Sequence, residues 1–153
     1  NWKNVSDKFF GSSIGAVEVA PSNENIVYVG EGENTMRGNV SEGLGGMWKS
    51  EDAGKTWKNI GLKDGRHITN IIVHPSDPNI VWAGVMGHLF GPNAERGVFK
   101  TIDGGNTWRL VLSGNKWTGV TDILIDPRNE KVSGDMVAVS YHRVERNCLG
   151  CAG

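Results

Sequence analysis

Short apolar runs broken by glycine and proline turns recur along the chain, and they alternate with polar residues as a half-buried strand does, not at the helical interval of about 3.6 residues. The run AVEVAPSNENIVYVG from Ala16 returns as NIIVHPSDPNIVWAG from Asn70. It returns in part as DILIDPRNE from Asp122, followed by MVAVSY from Met136. Behind the first two copies stands a second recurring segment, SEDAGKTWKNI at 50–60 and TIDGGNTWRLV at 101–111, so the period is about fifty residues. Each complete unit reads as four strands, at 14–20, 26–30, 46–50 and 56–60, then at 68–74, 80–85, 97–101 and 107–112.

A radial repeat of four-stranded sheets is a β-propeller, in which every unit is one blade. The fold expected is therefore all-β, built from blades of four antiparallel strands within a single partial domain, 1–153. Two blades are whole, at 14–60 and 68–112, and a third is split, with its first strands in 120–141 (120–126 and 136–141). The opening NWKNV, residues 1–5, matches TWKNI and TWRLV and predicts an orphan outer strand; residues 142–153 predict an irregular tail.

The second recurring segment has the pattern Ser/Thr-x-Asp-x-Gly-x-Thr-Trp, filled by Ser50, Asp52, Gly54, Thr56 and Trp57, then by Thr101, Asp103, Gly105, Thr107 and Trp108. An aspartate there accepts bonds from turn amides, a glycine takes the positive φ of a tight turn, and the threonine ties the other side. The tryptophan then buries a large ring between neighbouring blades. This points to a structural clamp. General acid or base work needs a convergent partner in an open cleft, which the pattern does not supply.

Composition narrows the function classes. Lys+Arg 16 against Asp+Glu 17 gives no basic field to hold a phosphate backbone, so nucleic acid is not an expected partner. No apolar run approaches the length of a membrane-spanning helix, and no membrane association is expected. Twenty-two glycines and six tryptophans suit many short strands joined by tight turns. Two cysteines, Cys148 and Cys151, cannot make a disulfide framework. Their CxxC spacing lacks the helix that would activate a thiolate.

In a propeller, the loops from second to third strand and from fourth to first strand converge on one face, where ligands bind. That face should carry Glu31, Glu33, Asn34 and Arg37 from one loop, and Asp64, Arg66 and His67 from the next connection. His88, Asn93, Glu95 and Arg96 follow from the second blade, then Asn115, Lys116 and Trp117. Mixed charge with one aromatic ring suits a glycan or a peptide. Glu33 and Arg37 also read as a loop-ordering ion pair. His67 and His88 come without HxH, HExxH or an Asp-rich loop, so no metal and no cofactor is expected.

The Asp-containing repeats resemble the Asp-boxes, or BNR repeats, of bacterial sialidases, sortilin-type domains and xyloglucan-degrading propeller hydrolases. The run from IGAVEVAPSNENIVYVGEGEN through GMWKSEDAGKTWKNIGL to DILIDPRN is similar to the N-terminal propeller of large bacterial proteins labelled glycosyl hydrolase or sortilin-like, over about residues 1 to 130. That resemblance implies many blades and a secreted or periplasmic location. The sialidase arginine triad and Arg-Ile-Pro segment have no counterpart here. Where the xyloglucan hydrolases place an aspartate after the first blade's second strand, this chain has Glu31 and Glu33. The reading is a non-catalytic module for binding or assembly; the alternative is a glycoside hydrolase whose cleft an oligomer or further blades complete. A homo-oligomer, a dimer first, is expected through exchange of residues 1–5 into the split blade of a neighbour.

Overall fold

The computed structural model describes residues 1–34, 40–125 and 137–143, the last as backbone only. Among the described residues ten strands form three antiparallel sheets: β1 (Ile14–Val19), β2 (Val27–Glu31), β3 (Met47–Ser50) and β4 (Lys58–Gly61), then β5 (Ile68–Val73), β6 (Val81–Val85), β7 (Gly97–Thr101) and β8 (Arg109–Leu112), and finally β9 (Thr118–Ile125) with β10 (Val137–Arg143). Strand order is sequential in both four-stranded sheets. Among the described residues the only helical element is a 3-10 turn, Lys63–Gly65. The all-β, blade-type architecture is the one the repeats predict.

The proline turns close the first hairpins identically. Ala20 N–H donates to the Ile26 carbonyl and His74 N–H to the Ile80 carbonyl, both at 2.9 Å. Each Asp-containing segment forms the turn between third and fourth strands. Asp52 Oδ1 accepts from Thr56 N at 2.8 Å, Oδ2 from the Thr56 hydroxyl at 2.7 Å, and Ser50 Oγ accepts from Gly54 N at 2.8 Å. Asp103, Thr107, Thr101 and Gly105 repeat this at 2.9, 2.6 and 3.0 Å. Gly54 and Gly105 take φ of 82° and 93°, which favours glycine.

Those bonds correct two boundaries. The fourth strands start at Lys58 and Arg109, not at 56 and 107, because Thr56 and Thr107 are held in the turn by the aspartates. The tail boundary also moves: β10 continues through His142 and Arg143, and the remaining tail with Cys148 and Cys151 lies outside the described residues. Residues 1–5, expected as an orphan outer strand, form no strand. Val5 nonetheless accepts a bond at its carbonyl from Trp57 Nε1 at 3.0 Å, as the Ile60 carbonyl does from Trp108 Nε1 at 2.7 Å.

Apolar side chains fill the seams between sheets. One cluster joins Tyr28, Met47 and Ile60 of the first sheet to Ile68, Ile71, Val73 and Phe99 of the second. Another joins Trp82 and Val98 of the second sheet to Val120 and Ile123 of β9. Burying such side chains contributes about 1.5–3 kcal/mol each, so the seams are where the stability resides. Glycines permit the close approach. A Cβ on Gly30 would sit 2.4 Å from Ile68 Cγ2, and one on Gly84 would sit 3.1 Å from Val120 Cγ1.

Candidate functional site

The second-to-third loops and the connection between the sheets meet at one end of the molecule. Gly43 N–H donates to the Arg66 carbonyl at 2.8 Å, and Met86 N–H donates to the His67 carbonyl at 2.9 Å. Asn93 Nδ2 reaches the Asp64 carbonyl at 2.7 Å. Three chain segments far apart in sequence thus form one continuous surface. The connection at 62–67 is tightly wound, with Leu62 in the left-handed region at φ 54° and Arg66 also at a positive φ, 57°.

Glu31, at the end of β2, is buried beneath this surface and its carboxylate accepts four bonds from the chain. Oε2 accepts from the Ser12 hydroxyl, from Leu44 N at 2.9 Å and from Gly45 N at 2.8 Å; Oε1 accepts from Trp48 Nε1 at 2.7 Å. Burial would raise the Glu31 carboxyl, but the bonds from Ser12, the Gly45 and Leu44 amides and Trp48 together hold it below its ordinary value. Four of the chain's own donors reach the carboxylate, three at Oε2 and one at Oε1, so most of its acceptor capacity is taken. Its bonds to Leu44 and Gly45 tie down the loop that ends at Gly46, and the acid expected on the ligand face is buried in this structure. Ser12 and Trp48, two of its partners, are residues the sequence pattern passes over, because nothing local marks a partner 17 or 19 positions away.

Glu33 is also turned to loop order: its Oε2 accepts from Ser41 N at 3.0 Å, and its carbonyl faces His67 Nδ1 at 3.2 Å. Arg37 lies outside the described residues, so the Glu33–Arg37 pair does too. Asn34 Nδ2 donates to the Thr69 carbonyl at 3.1 Å.

His67 is fully buried. A carbonyl only accepts, so Nδ1 carries the proton toward Glu33 and Nε2 presents a lone pair, with no partner among the described residues. Burial lowers its pKa below the ordinary value, against the raising effect of the Glu33 carbonyl and of the Glu42 and Glu33 charges. The ring is a neutral packed group. No cluster of three His, Cys, Asp or Glu side chains fit to hold a metal ion occurs among the described residues.

Asp64 and His88 pair across the loops, with Oδ1 2.9 Å from Nε2. Asn93 supports both, accepting from His88 N at 3.1 Å. Arg66 reaches Glu42 only at 3.9 Å, and Glu42 is an acid that sequence reading does not single out. Arg96 is buried, and its guanidinium donates to the carbonyls of Met86, His88 and Gly91. It clamps its own loop and is buried, where the sequence places it on the exposed face. Glu95 is half-buried with Oε2 unpartnered among the described residues. Trp117 is half-buried in the 113–117 connection, its amide held by Asn115 Oδ1 at 2.8 Å, while Asn115 and Lys116 are exposed.

Of the described residues expected there, Asn34, Asp64, Asn115 and Lys116 are exposed and Arg66, His88, Asn93 and Trp117 half-buried, with the exposed Glu42 added beside Arg66. At the opposite end, between the two Asp-containing turns, a cavity of about 290 Å³ is lined by Lys49, Glu51, Thr56, Lys58, Gly104 and Asn106. Lys49 within it is occupied, 2.8 Å from Glu51 and against the Tyr28 ring.

No protein-family model matches the chain. No curated relative matches it either. Solved structures do. The chain is similar to an ancestral GH74 enzyme, with TM-score 0.58 and 21% identity over 79% of this chain and 13% of that one. It is similar to the GH74 enzyme of Niastella koreensis, with TM-score 0.53 and 21% identity over 88% and 23%. A third match is the GH74 xyloglucanase of Xanthomonas campestris, with TM-score 0.50 and 12% identity over 74% and 16%. At these identities the likeness establishes a propeller-related, glycoside-hydrolase-like fold, and the chain spans less than a quarter of the length of each.

Proposed function

We propose that the chain is a sector of an Asp-box β-propeller whose loop face binds a glycan without cleaving it. The observation that carries this reading is the burial of Glu31 and the commitment of its carboxylate to four donors of the chain. Glycoside hydrolysis requires two carboxyl groups flanking one bond. Here the acid in the expected position is committed to Ser12, Leu44, Gly45 and Trp48, and Asp64 is paired with His88. What the chain retains there, hydrogen-bonding side chains on the loops and a half-buried tryptophan, Trp117, suits a sugar that stacks and exchanges hydroxyl bonds.

A second reading is favoured by the GH74 likeness: a hydrolase sector whose cleft is completed by another copy or by further blades. Two measurements separate them. Isothermal titration with xyloglucan oligosaccharides and with other β-glucan oligosaccharides should give binding that Trp117→Ala weakens by about tenfold or more, and a reducing-sugar assay should show no turnover. New reducing ends, lost in a folded Asp64→Asn variant, would establish the hydrolase instead. Failure to bind any glycan, with capture of peptides, would remove the carbohydrate reading.

A further inference from the structure

The cavity between the two Asp-containing turns has Lys49, Glu51, Trp57 and Lys58 on its first wall and Gly104 and Asn106 on its second. Both walls belong to the two four-stranded sheets, so the cavity is formed without β9, β10 or residues 1–5. Its volume of about 290 Å³ lies at the small end of the range for ligand sites. Its charged lining, Lys49 and Lys58 against Glu51, leaves one excess positive charge.

Lys49, in β3, is only 9% exposed, and its ammonium stands 5.8 Å from the centroid of the Tyr28 ring. An ammonium so far withdrawn from water needs an anion beside it. Glu51 supplies one, with Oε1 2.8 Å from Nζ, on a side chain that is itself 73% exposed. The hydrogen bond and charge of Lys49, and then the charge of Lys58, hold the Glu51 carboxyl below its ordinary value against the effect of burial. Two ammonium groups therefore act on one carboxylate, which the chain carries on a long side chain at the edge of the cavity.

The two repeats separate what a turn needs from what the cavity needs. In the second blade Lys100 stands over the Trp82 ring at 4.8 Å, as Lys49 stands over Tyr28, yet the position matching Glu51 is Ile102. The Asp103 turn makes the same bonds as the Asp52 turn without that acid, so Glu51 is no part of the turn. Glycine at 104 gives a second contrast. Its counterpart in the first turn is Ala53 at φ 59°, so the turn accepts a Cβ there. On Gly104, at φ 70°, a Cβ would lie 2.8 Å from Lys49 Nζ and 2.9 Å from Asn79 Oδ1. The absent methyl is the room in which the ammonium sits.

We propose that this cavity binds a small carboxylate, an acidic sugar or a short aliphatic acid, whose carboxylate replaces that of Glu51 at Lys49 and is shared with Lys58. Glu51 then turns into solvent, where its charge is hydrated, and Lys49 stays paired throughout, so the exchange trades one ion pair for another. The Trp57 ring and Ile60 give the carbon skeleton of the ligand an apolar wall. The site lies at the end opposite the loop face and is independent of any ligand bound there.

Isothermal titration of the chain at low salt with sodium galacturonate, sodium succinate and neutral galactose, joined to amide chemical-shift mapping, tests this. At least one of the two acids should bind and shift the Gly104 and Asn106 amides, and galactose should do neither; the tighter acid identifies the source of the carboxylate. Glu51→Gln, at an exposed side chain, removes the resident competitor and should tighten binding by about two- to fivefold. Lys49→Met keeps the apolar stem and should weaken it by about tenfold or more. Gly104→Ala crowds the ammonium and should weaken it as well, with an unchanged circular dichroism spectrum, because Ala53 already occupies the same place in the first turn. If Lys49→Met does not fold, Glu51→Gln and Gly104→Ala carry the test. Absence of acid binding to both the parent chain and Glu51→Gln overturns the proposal. So does galactose binding as well as the acids, binding that Glu51→Gln leaves unchanged or weakens, or shifts confined to the loops at 62–67 and 86–96.

Discussion

The indole N–H of Trp108 donates to the carbonyl of Ile60, 2.7 Å away, tying the turn of the second blade to the outer strand of the first. Trp57 makes the same bond to Val5 at 3.0 Å. One interaction thus recurs at successive repeats and carries the stacking direction from sheet to sheet. Its donor is a side chain of the turn motif and its acceptor is main chain, so it depends little on which residue stands at the acceptor position. Conservative removal separates the bond from the ring. Trp108→Phe keeps most of the buried aromatic area, so the expected loss is that of one hydrogen bond, about 0.5–1.5 kcal/mol in urea unfolding. Trp57→Phe should cost no more, since Val5 belongs to a segment without ladder bonds. Equal losses above about 3 kcal/mol would show that ring packing, not the indole bond, holds the seam.

Gly30 and Ile68 form a coupled pair. Ile68→Ala should destabilise by about 2–5 kcal/mol, because the side chain is fully buried at the first seam. Gly30→Ala should cost about 1–3 kcal/mol, since its Cβ would lie 2.4 Å from Ile68 Cγ2. The double variant should be less damaged than the sum, as loss of Ile68 Cγ1 and Cγ2 relieves part of the clash, the contact with Ile68 Cβ remaining. A double-mutant cycle with a coupling of about 0.5–3 kcal/mol is the expected result, and strict additivity would contradict the contact.

Acid should weaken the fold through the turn aspartates. Bonds from the Thr56 hydroxyl and then its amide hold Asp52 at about 2 instead of 3.8, and those from Thr107 do the same for Asp103. Folding therefore favours the ionised forms. Their contribution is complete above 3.8 and disappears as pH falls to about 2. The Asp52→Asn/Asp103→Asn variant should be less stable at neutral pH and show a shallower fall through that window in urea midpoints. An unchanged slope would place the acid sensitivity elsewhere.

Glu31 offers a test of anchoring against chemistry. Glu31→Gln keeps the shape but turns an amide NH₂ toward donors, so at least one of the bonds from Leu44, Gly45, Trp48 or Ser12 must break. The expected cost is about 1–3 kcal/mol, with faster hydrogen exchange at the Leu44 and Gly45 amides. Undisturbed exchange at those amides would mean that the loop is held by something other than the carboxylate.

Strand alternation, the fifty-residue repeat and the Asp-containing turns are properties of neighbouring residues, and they determined the sheets, their order and the turn bonds without reference to the rest of the molecule. Asp52 finds Thr56 four positions away, and Asp103 finds Thr107 likewise. The face was legible only as a set of loops. Which of its charged residues meet a ligand and which hold the loops was decided by burial and by partners far along the chain. Glu31 turns to Ser12 and Trp48, and Arg96 turns to three carbonyls of its own loop. The bareness of Val17 beside the burial of Ile71 is of the same kind. Equivalent residues differ only in whether a sheet stands in front of them, and that is a fact of three-dimensional packing, not of local pattern.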